Sequence, residues 1–243
     1  MRGEKELLCL TQIQKALQGI SQEQEMICML CPQKQETVKN IISAKPNPQS
    51  SLFPDFIFDG GFIEHFEITA AKETKKGSEL RRESKSFEQS CDEQFQKFKK
   101  ENDNLPHDTM MTQNFEMVFE ENNYENFVKS FQKNWEHHID SLNKYSGDKK
   151  CGIFLIENNG ATFKQMKNGE YLGDLYRLSL DKRLLEYMLP FQNQIRCVIF
   201  KDAQNYEIIE TERIRQLLKK IPRNLYFEAG RVCQLQTQIN FVL

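Results

Sequence analysis

The segment Pro54-Asp55-Phe56-Ile57-Phe58-Asp59-Gly60-Gly61-Phe62-Ile63-Glu64-His65-Phe66-Glu67-Ile68-Thr69 gathers acids, a histidine and alternating apolar residues around a glycine turn. That texture predicts a β-hairpin, and its register decides which acids meet. A two-residue Asp59-Gly60 turn pairs Asp55 with Glu64 and leaves both faces mixed. A three-residue Asp59-Gly60-Gly61 loop, with a glycine in the left-handed region, pairs Phe58 with Phe62, Phe56 with Glu64 and Asp55 with His65. One face then carries Phe56, Phe58, Phe62, Phe66 and Ile68, with Glu64 the exception; the other carries Asp55, His65, Glu67 and Thr69. The second register sorts the faces better and is the one expected. It sets Glu67 diagonal to Asp55, within joint reach of one cation. Two carboxylates, with water and a substrate phosphate completing the shell, suit a hard cation such as magnesium. A metal so held activates water and offsets charge developing on a phosphoryl group. His65 beside the pair is in reach of a metal, a phosphate or a catalytic water, although a hydrogen-bonded strand histidine is the commoner role. For Asp55 and Glu67 the plain alternative is a solvated hairpin face.

The elements that position this segment are read from hydrophobic spacing. Leu7, Leu10, Ile13, Leu17 and Ile20 predict an amphipathic helix over residues 6–20. Ser21 with Gln24 reads as a capping box for a second helix, interrupted at Pro32, and Val38, Ile41 and Ile42 begin a third that ends at Lys45-Pro46-Asn47-Pro48. After the hairpin, Ala71 to Glu88 is rich in both charges and is expected to start as a mobile loop and become a helix carrying Phe87, Cys91, Phe95 and Phe98. A short Phe- and Met-rich segment (110–119) precedes a long helix from Tyr124, whose stripe Phe127, Val128, Phe131, Trp135, Ile139 and Leu142 follows the 3.6-residue period. Cys151 to Ile156 and Ile195 to Phe200 are nearly continuous apolar runs, the pattern of strands buried on both faces. Asp174 to Leu189 and Thr211 to Lys220 read as helices, and Leu225 to Phe227 and Ile239 to Val242 as late strands.

With 243 residues, 39% hydrophobic and 28% charged, the chain has apolar bulk for one sizeable core. No internal repeat or low-complexity linker appears, so a single α/β domain over 1–243 is expected, with a mixed central sheet flanked by helices. A net charge of -2 does not mark a nucleic-acid or membrane-surface binder, so a phosphate partner must be held by a local patch. The mixed-charge amino end and the lack of an 18-residue apolar run predict neither secretion nor membrane spanning. Seven scattered cysteines read as reduced thiols of a cytoplasmic protein. Cys28-Met29-Leu30-Cys31 has metal-ligand spacing, but no second pair completes a zinc set. His137 and His138 are adjacent on the long helix and cannot share a face, and His107 lies in an expected loop. The basic run Lys72 to Lys85 offers a path for a nucleic-acid backbone, but interspersed glutamates fit a solvated face as well.

Pro54-Asp55 entering a strand, followed across the hairpin by Glu67-Ile68-Thr69, resembles the PD-(D/E)xK motif of restriction-endonuclease-like nucleases. The family core, helix, three-stranded meander, helix and further strand, is similar to the order read above over about residues 35–160. An N-terminal helical segment and a C-terminal α/β extension lie outside it. The resemblance implies that Asp55 and Glu67 are metal ligands for magnesium or manganese, and that DNA, more than RNA, is the substrate. It also places Thr69 where the motif has a lysine that orients the attacking water. Lys72, the nearest, or Lys75 or Lys76 would then supply the cation, with His65 and Glu64 as accessory groups. Glu23 and Glu25 are candidate equivalents of a glutamate that some members contribute from an early helix. A catalytically inactive binding module that keeps the fold, and a hydrolase of small phosphoesters, are the alternatives.

Overall fold

The computed structural model describes residues 3–19, 35–49, 52–71, 73–74, 77–101, 110–119, 123–158, 161–202, 205–229 and 233–242. The amphipathic pattern at the amino end becomes α1 (Glu4–Gly19), which buries Cys9, Leu10, Ile13 and Leu17. The expected second helix from Ser21 and the Cys28/Cys31 pair lie outside the described residues. There follow α2 (Gln35–Ser43), β1 (Lys45–Pro46), β2 (Phe56–Phe58), β3 (Gly61–Ile68), the short β4 (Glu73–Thr74) and β5 (Gly77–Ser78), α3 (Glu79–Glu101) and β6 (Met110–Phe119). Next comes α4 (Tyr124–Lys144), capped by Asn123, whose side chain accepts from the backbone N–H of Asn126. The rest is β7 (Cys151–Asn158), β8 (Phe163–Lys167), β9 (Glu170–Gly173), α5 (Lys182–Met188), β10 (Cys197–Lys201), β11 (Tyr206–Glu210), α6 (Ile214–Lys220), β12 (Leu225–Ala229) and β13 (Cys233–Val242).

The main sheet has six strands in the order β1-β2-β3-β7-β10-β11. It is mixed: β1, β2 and β3 form antiparallel neighbours, β3, β7 and β10 run parallel, and β11 returns antiparallel. The apolar run of β7 occupies a central position, as its two-sided hydrophobicity requires. One sheet face packs Phe62, Phe66, Phe154 and Phe200 against the α4 stripe and Trp135. The other packs Ile63, Ile153, Leu155 and Ile199 against α1 and against Ile41 of α2. Phe163 of β8 and Phe227 of β12, from the smaller β12-β8-β9 sheet, join the α4-side core. No helix among the described residues is long and apolar enough to cross a membrane.

Two expectations are corrected. The hairpin closes with the two-residue Asp59-Gly60 turn, pairing Phe58 with Gly61, Ile57 with Phe62 and Phe56 with Ile63. Gly60 takes φ +84°, which a side chain disfavours. The criterion of one apolar face misled because helices cover both sides of β3, so neither side has to be polar. The helix expected over Asp174 to Leu189 is confined to a 3₁₀ turn at Leu178–Leu180 and to α5, with Asp181 capping α5 between them. Residues 110–119 form a long strand, β6, paired along its whole length with β13. The β8–β9 hairpin and β11 were not read from the sequence.

Candidate functional site

The pairing of β2 with β3 stops at Phe56 and Ile63. Beyond it the β2 side of the chain is drawn toward Asn47, whose backbone N–H donates to the Asp55 carbonyl at 2.8 Å and whose side-chain amide donates to the Pro54 carbonyl at 2.7 Å. Asp55 therefore meets β3 through its side chain: its Oδ2 accepts the His65 N–H at 2.9 Å. In return Glu64 Oε2 accepts the Asp55 N–H at 2.9 Å. The second Glu64 oxygen, Oε1, lies 2.8 Å from His138 Nδ1 on α4, and the His138 ring stacks on Phe66 at 4.8 Å between centroids. Glu64 and His65 are buried, and no lysine or arginine among the described residues pairs with Asp55 or Glu64.

Burial sets the electrostatics of this pair. It pushes the Glu64 carboxyl up to about 7 against the lowering effect of the Asp55 N–H. It also pushes Asp55 up to about 6, with the Glu64 charge adding to the rise and the His65 N–H opposing it. Burial lowers His138 to about 4. Together these directions describe one proton held between Glu64 Oε1 and His138 Nδ1 until about neutrality.

A second group lies at the carboxyl ends of the parallel strands, the edge where open α/β sheets bind ligands. Glu67, Glu157 and Lys201 are in register across β3, β7 and β10. Lys5 of α1 reaches Glu67 Oε1 at 2.7 Å and Glu157 Oε2 at 3.8 Å, and Lys201 reaches Glu157 Oε1 at 3.2 Å. His65 Nε2 is 3.3 Å from Glu157 Oε2. The Cys9 sulfur, a His65 ring nitrogen and a Glu157 oxygen all lie within 4.8 Å of one another. The His65 hydrogen bond is the largest influence holding Glu157 down to about 2, with Lys201 and Lys5 adding. Burial pushes the Cys9 thiol up to about 12, with the Glu157 charge adding.

The corrected register separates the two acids expected to act together. Asp55 lies opposite Glu64, while alternation along β3 turns His65 and Glu67 toward α1, where Lys5 takes up Glu67. The diagonal adjacency of Asp55 and Glu67 was a product of the three-residue loop and goes with it. Thr69 is buried as a turn residue: its N–H donates to Ser130 Oγ at 3.2 Å, and its Oγ1 accepts from the Ala71 N–H at 3.1 Å. Lys72, Lys75, Lys76, Glu23, Glu25 and His107 lie outside the described residues. Of the adjacent histidines, His138 hydrogen-bonds an acid of the hairpin.

Sequence reasoning missed Lys5, Cys9, His138, Glu157 and Lys201. Signals existed for four of them: Lys5 and Cys9 are one helical turn apart, and Glu157 and Lys201 each close an apolar strand run with a charge. Comparison with protein families, with curated proteins and with solved structures finds no match to this chain.

Proposed function

We propose that this chain is a metal-dependent phosphodiester hydrolase of the PD-(D/E)xK kind acting on DNA, with Asp55 and Glu64 as its ligand carboxylates. The observation that carries the reading is their reciprocal hydrogen bonding where β2 parts from β3. Two neighbouring carboxyls with no lysine or arginine partner among the described residues are hard oxygen donors that fit magnesium or manganese. The element order supports the reading too: early helices, three antiparallel strands and then, after β4, β5, α3 and β6, helix α4 and β7 parallel to β3, which contains the order implied by the family resemblance with an insertion before α4.

When bound, such an ion would polarise water and a phosphate oxygen. Burial holds the proton on Glu64 up to about 7 with His138 Nδ1 2.8 Å away, so a cation held by the two carboxylates would have to displace that proton, and His138 would orient the Glu64 carboxyl. Lys5 and Lys201 are held by Glu67 and Glu157 on the α1 side of the sheet, so the positive charge that Thr69 does not supply would have to come from elsewhere, with Lys72, Lys75 and Lys76 as the candidates.

Plasmid and single-stranded DNA incubated with the purified protein in magnesium or manganese test the proposal. Cleavage is expected, with Asp55→Asn and Glu64→Gln abolishing it while DNA binding persists. If Glu67→Gln abolishes cleavage and Glu64→Gln does not, the ligand pair is wrong. Two observations favour a second reading, a binding module without hydrolysis: Glu67 is neutralised by Lys5 and Thr69 is spent on a turn. Salt-dependent DNA binding without cleavage in either metal would establish that reading instead.

A further inference from the structure

We propose that Cys9, His65 and Glu157 form a second, distinct metal site, selective for a borderline divalent ion such as zinc, with a fourth position open to water. The three donors come from α1, β3 and β7, so separate elements converge on one point. Sulfur, imidazole and carboxylate form the mixed set that zinc accepts and magnesium does not. At zinc bond lengths of about 2.0–2.2 Å to nitrogen and oxygen, two tetrahedral ligands stand about 3.3–3.5 Å apart. His65 Nε2 and Glu157 Oε2 are 3.3 Å apart, so their spacing already matches a shared tetrahedral ion. The Cys9 sulfur, within 4.8 Å of both, closes the set with a shift of at most about 1.3 Å.

The surroundings also suit an ion. Glu157 Oε1 stays on Lys201 while Oε2 turns to the metal, and the Lys5 contact to Oε2, already long at 3.8 Å, is the one given up. Lys5 keeps its 2.7 Å partner, Glu67. The Cys9 thiol proton is released as the sulfur–metal bond forms, leaving a thiolate and a carboxylate to balance the two charges of zinc. Lys5 and Lys201 lie beside Glu157 at the carboxyl edge of the parallel strands, which would favour an anionic fourth ligand. Three protein ligands and one exchangeable position are the arrangement of catalytic rather than structural zinc. This site stands apart from the Asp55–Glu64 pair, which offers oxygen donors alone.

Cobalt(II) titration of chelator-stripped full-length protein tests the inference, because a cobalt–thiolate bond gives near-ultraviolet charge-transfer absorption. One equivalent of cobalt should produce that band, and zinc should displace it. Cys9→Ser should abolish the band, His65→Gln and Glu157→Gln should each weaken binding about tenfold or more, and Cys91→Ser should change nothing. Metal-free melting curves establish that each variant is folded. If Cys9→Ser does not fold, the His65 and Glu157 variants, which retain the thiol, decide by their affinity. Asp55→Asn should keep the band even where it abolishes DNA cleavage, so failure of one site is told from failure of the other. The inference is overturned if no band forms at equimolar cobalt, if it survives in Cys9→Ser, or if it disappears with Cys28→Ser/Cys31→Ser instead.

Discussion

Replacing Glu64 by Gln should make the protein more stable at alkaline pH than the unaltered chain, by an amount that shrinks on acidification. Gln copies the protonated acid, because its carbonyl can accept the Asp55 N–H and its amide can donate to His138 Nδ1. Glu64 ionises at about 7 in the fold against a reference of 4.5. Since the folded value is raised, the unfolded chain releases its proton first, and stability falls as pH rises from 4.5 to 7. The difference of about 2.5 units, at 1.36 kcal/mol each, gives a full penalty of about 3 kcal/mol by pH 8 and under about 1 kcal/mol at pH 5. His138 titrates in both proteins and largely cancels in the comparison. Loss of the Glu64 charge also eases ionisation of Asp55, which acts in the same direction. The stability of Glu64→Gln relative to the unaltered chain should therefore rise by about 2–3 kcal/mol between pH 5 and pH 8. That corresponds to a relative shift in melting temperature of about 5–10 °C for a chain of this size. The measurement is urea and thermal unfolding of both proteins across that range with a chelator present, so that no metal masks the charge. An equal difference at pH 5 and pH 8, or a variant that loses ground as pH rises, would refute the shared-proton reading.

Two further outcomes follow from packing alone. Asp181 is buried, caps α5 through the Leu184 N–H, and accepts the hydroxyls of Tyr124 and Tyr176, each at 2.8 Å. Asp181→Ala should cost about 3–5 kcal/mol in urea unfolding, part from the lost cap and part from stranded hydroxyls. In a Tyr124→Phe/Tyr176→Phe background the loss should fall to that of the cap. A Cβ at Gly61 would run into the Cys151 backbone carbonyl and the Phe58 ring, so Gly61→Ala should lower the melting temperature by more than Gly169→Ala, where nothing stands in the way and only the φ of +84° opposes a side chain.

The parts of the fold legible in the sequence were those whose signal is local. The α4 stripe from Phe127 to Leu142 and the apolar runs of β7 and β10 declared their element and their burial together, because both depend on spacing within a few residues. The smaller elements did not: β8, β9 and β11 are five residues or fewer, and β8 and β9 are held partly exposed in the β12-β8-β9 sheet, where alternation is weak. The hairpin was recognised and its acids singled out, but its register was not. A criterion of one apolar face holds for a sheet with a solvated side, and β3 has α1 on one side and α4 on the other.

That same enclosure explains why the second acidic group was invisible. Glu67 and Glu157 stand side by side on parallel strands, and like charges in adjacent positions destabilise a sheet unless cations intervene. Lys201 comes from a third strand and Lys5 from α1, so the compensation spans about 200 residues of sequence. No window of sequence contains it. Docking of α1 thus has two components: an apolar one, through Leu10, Ile13 and Leu17, that periodicity reveals, and an ionic one, through Lys5 over Glu67 and Glu157, that only the strand order creates. With the acids in register on β3 and β7, the first two turns of α1 carry both the charge that quiets them and the Cys9 sulfur beside them. The amino-terminal helix is thereby part of the site as well as part of the core.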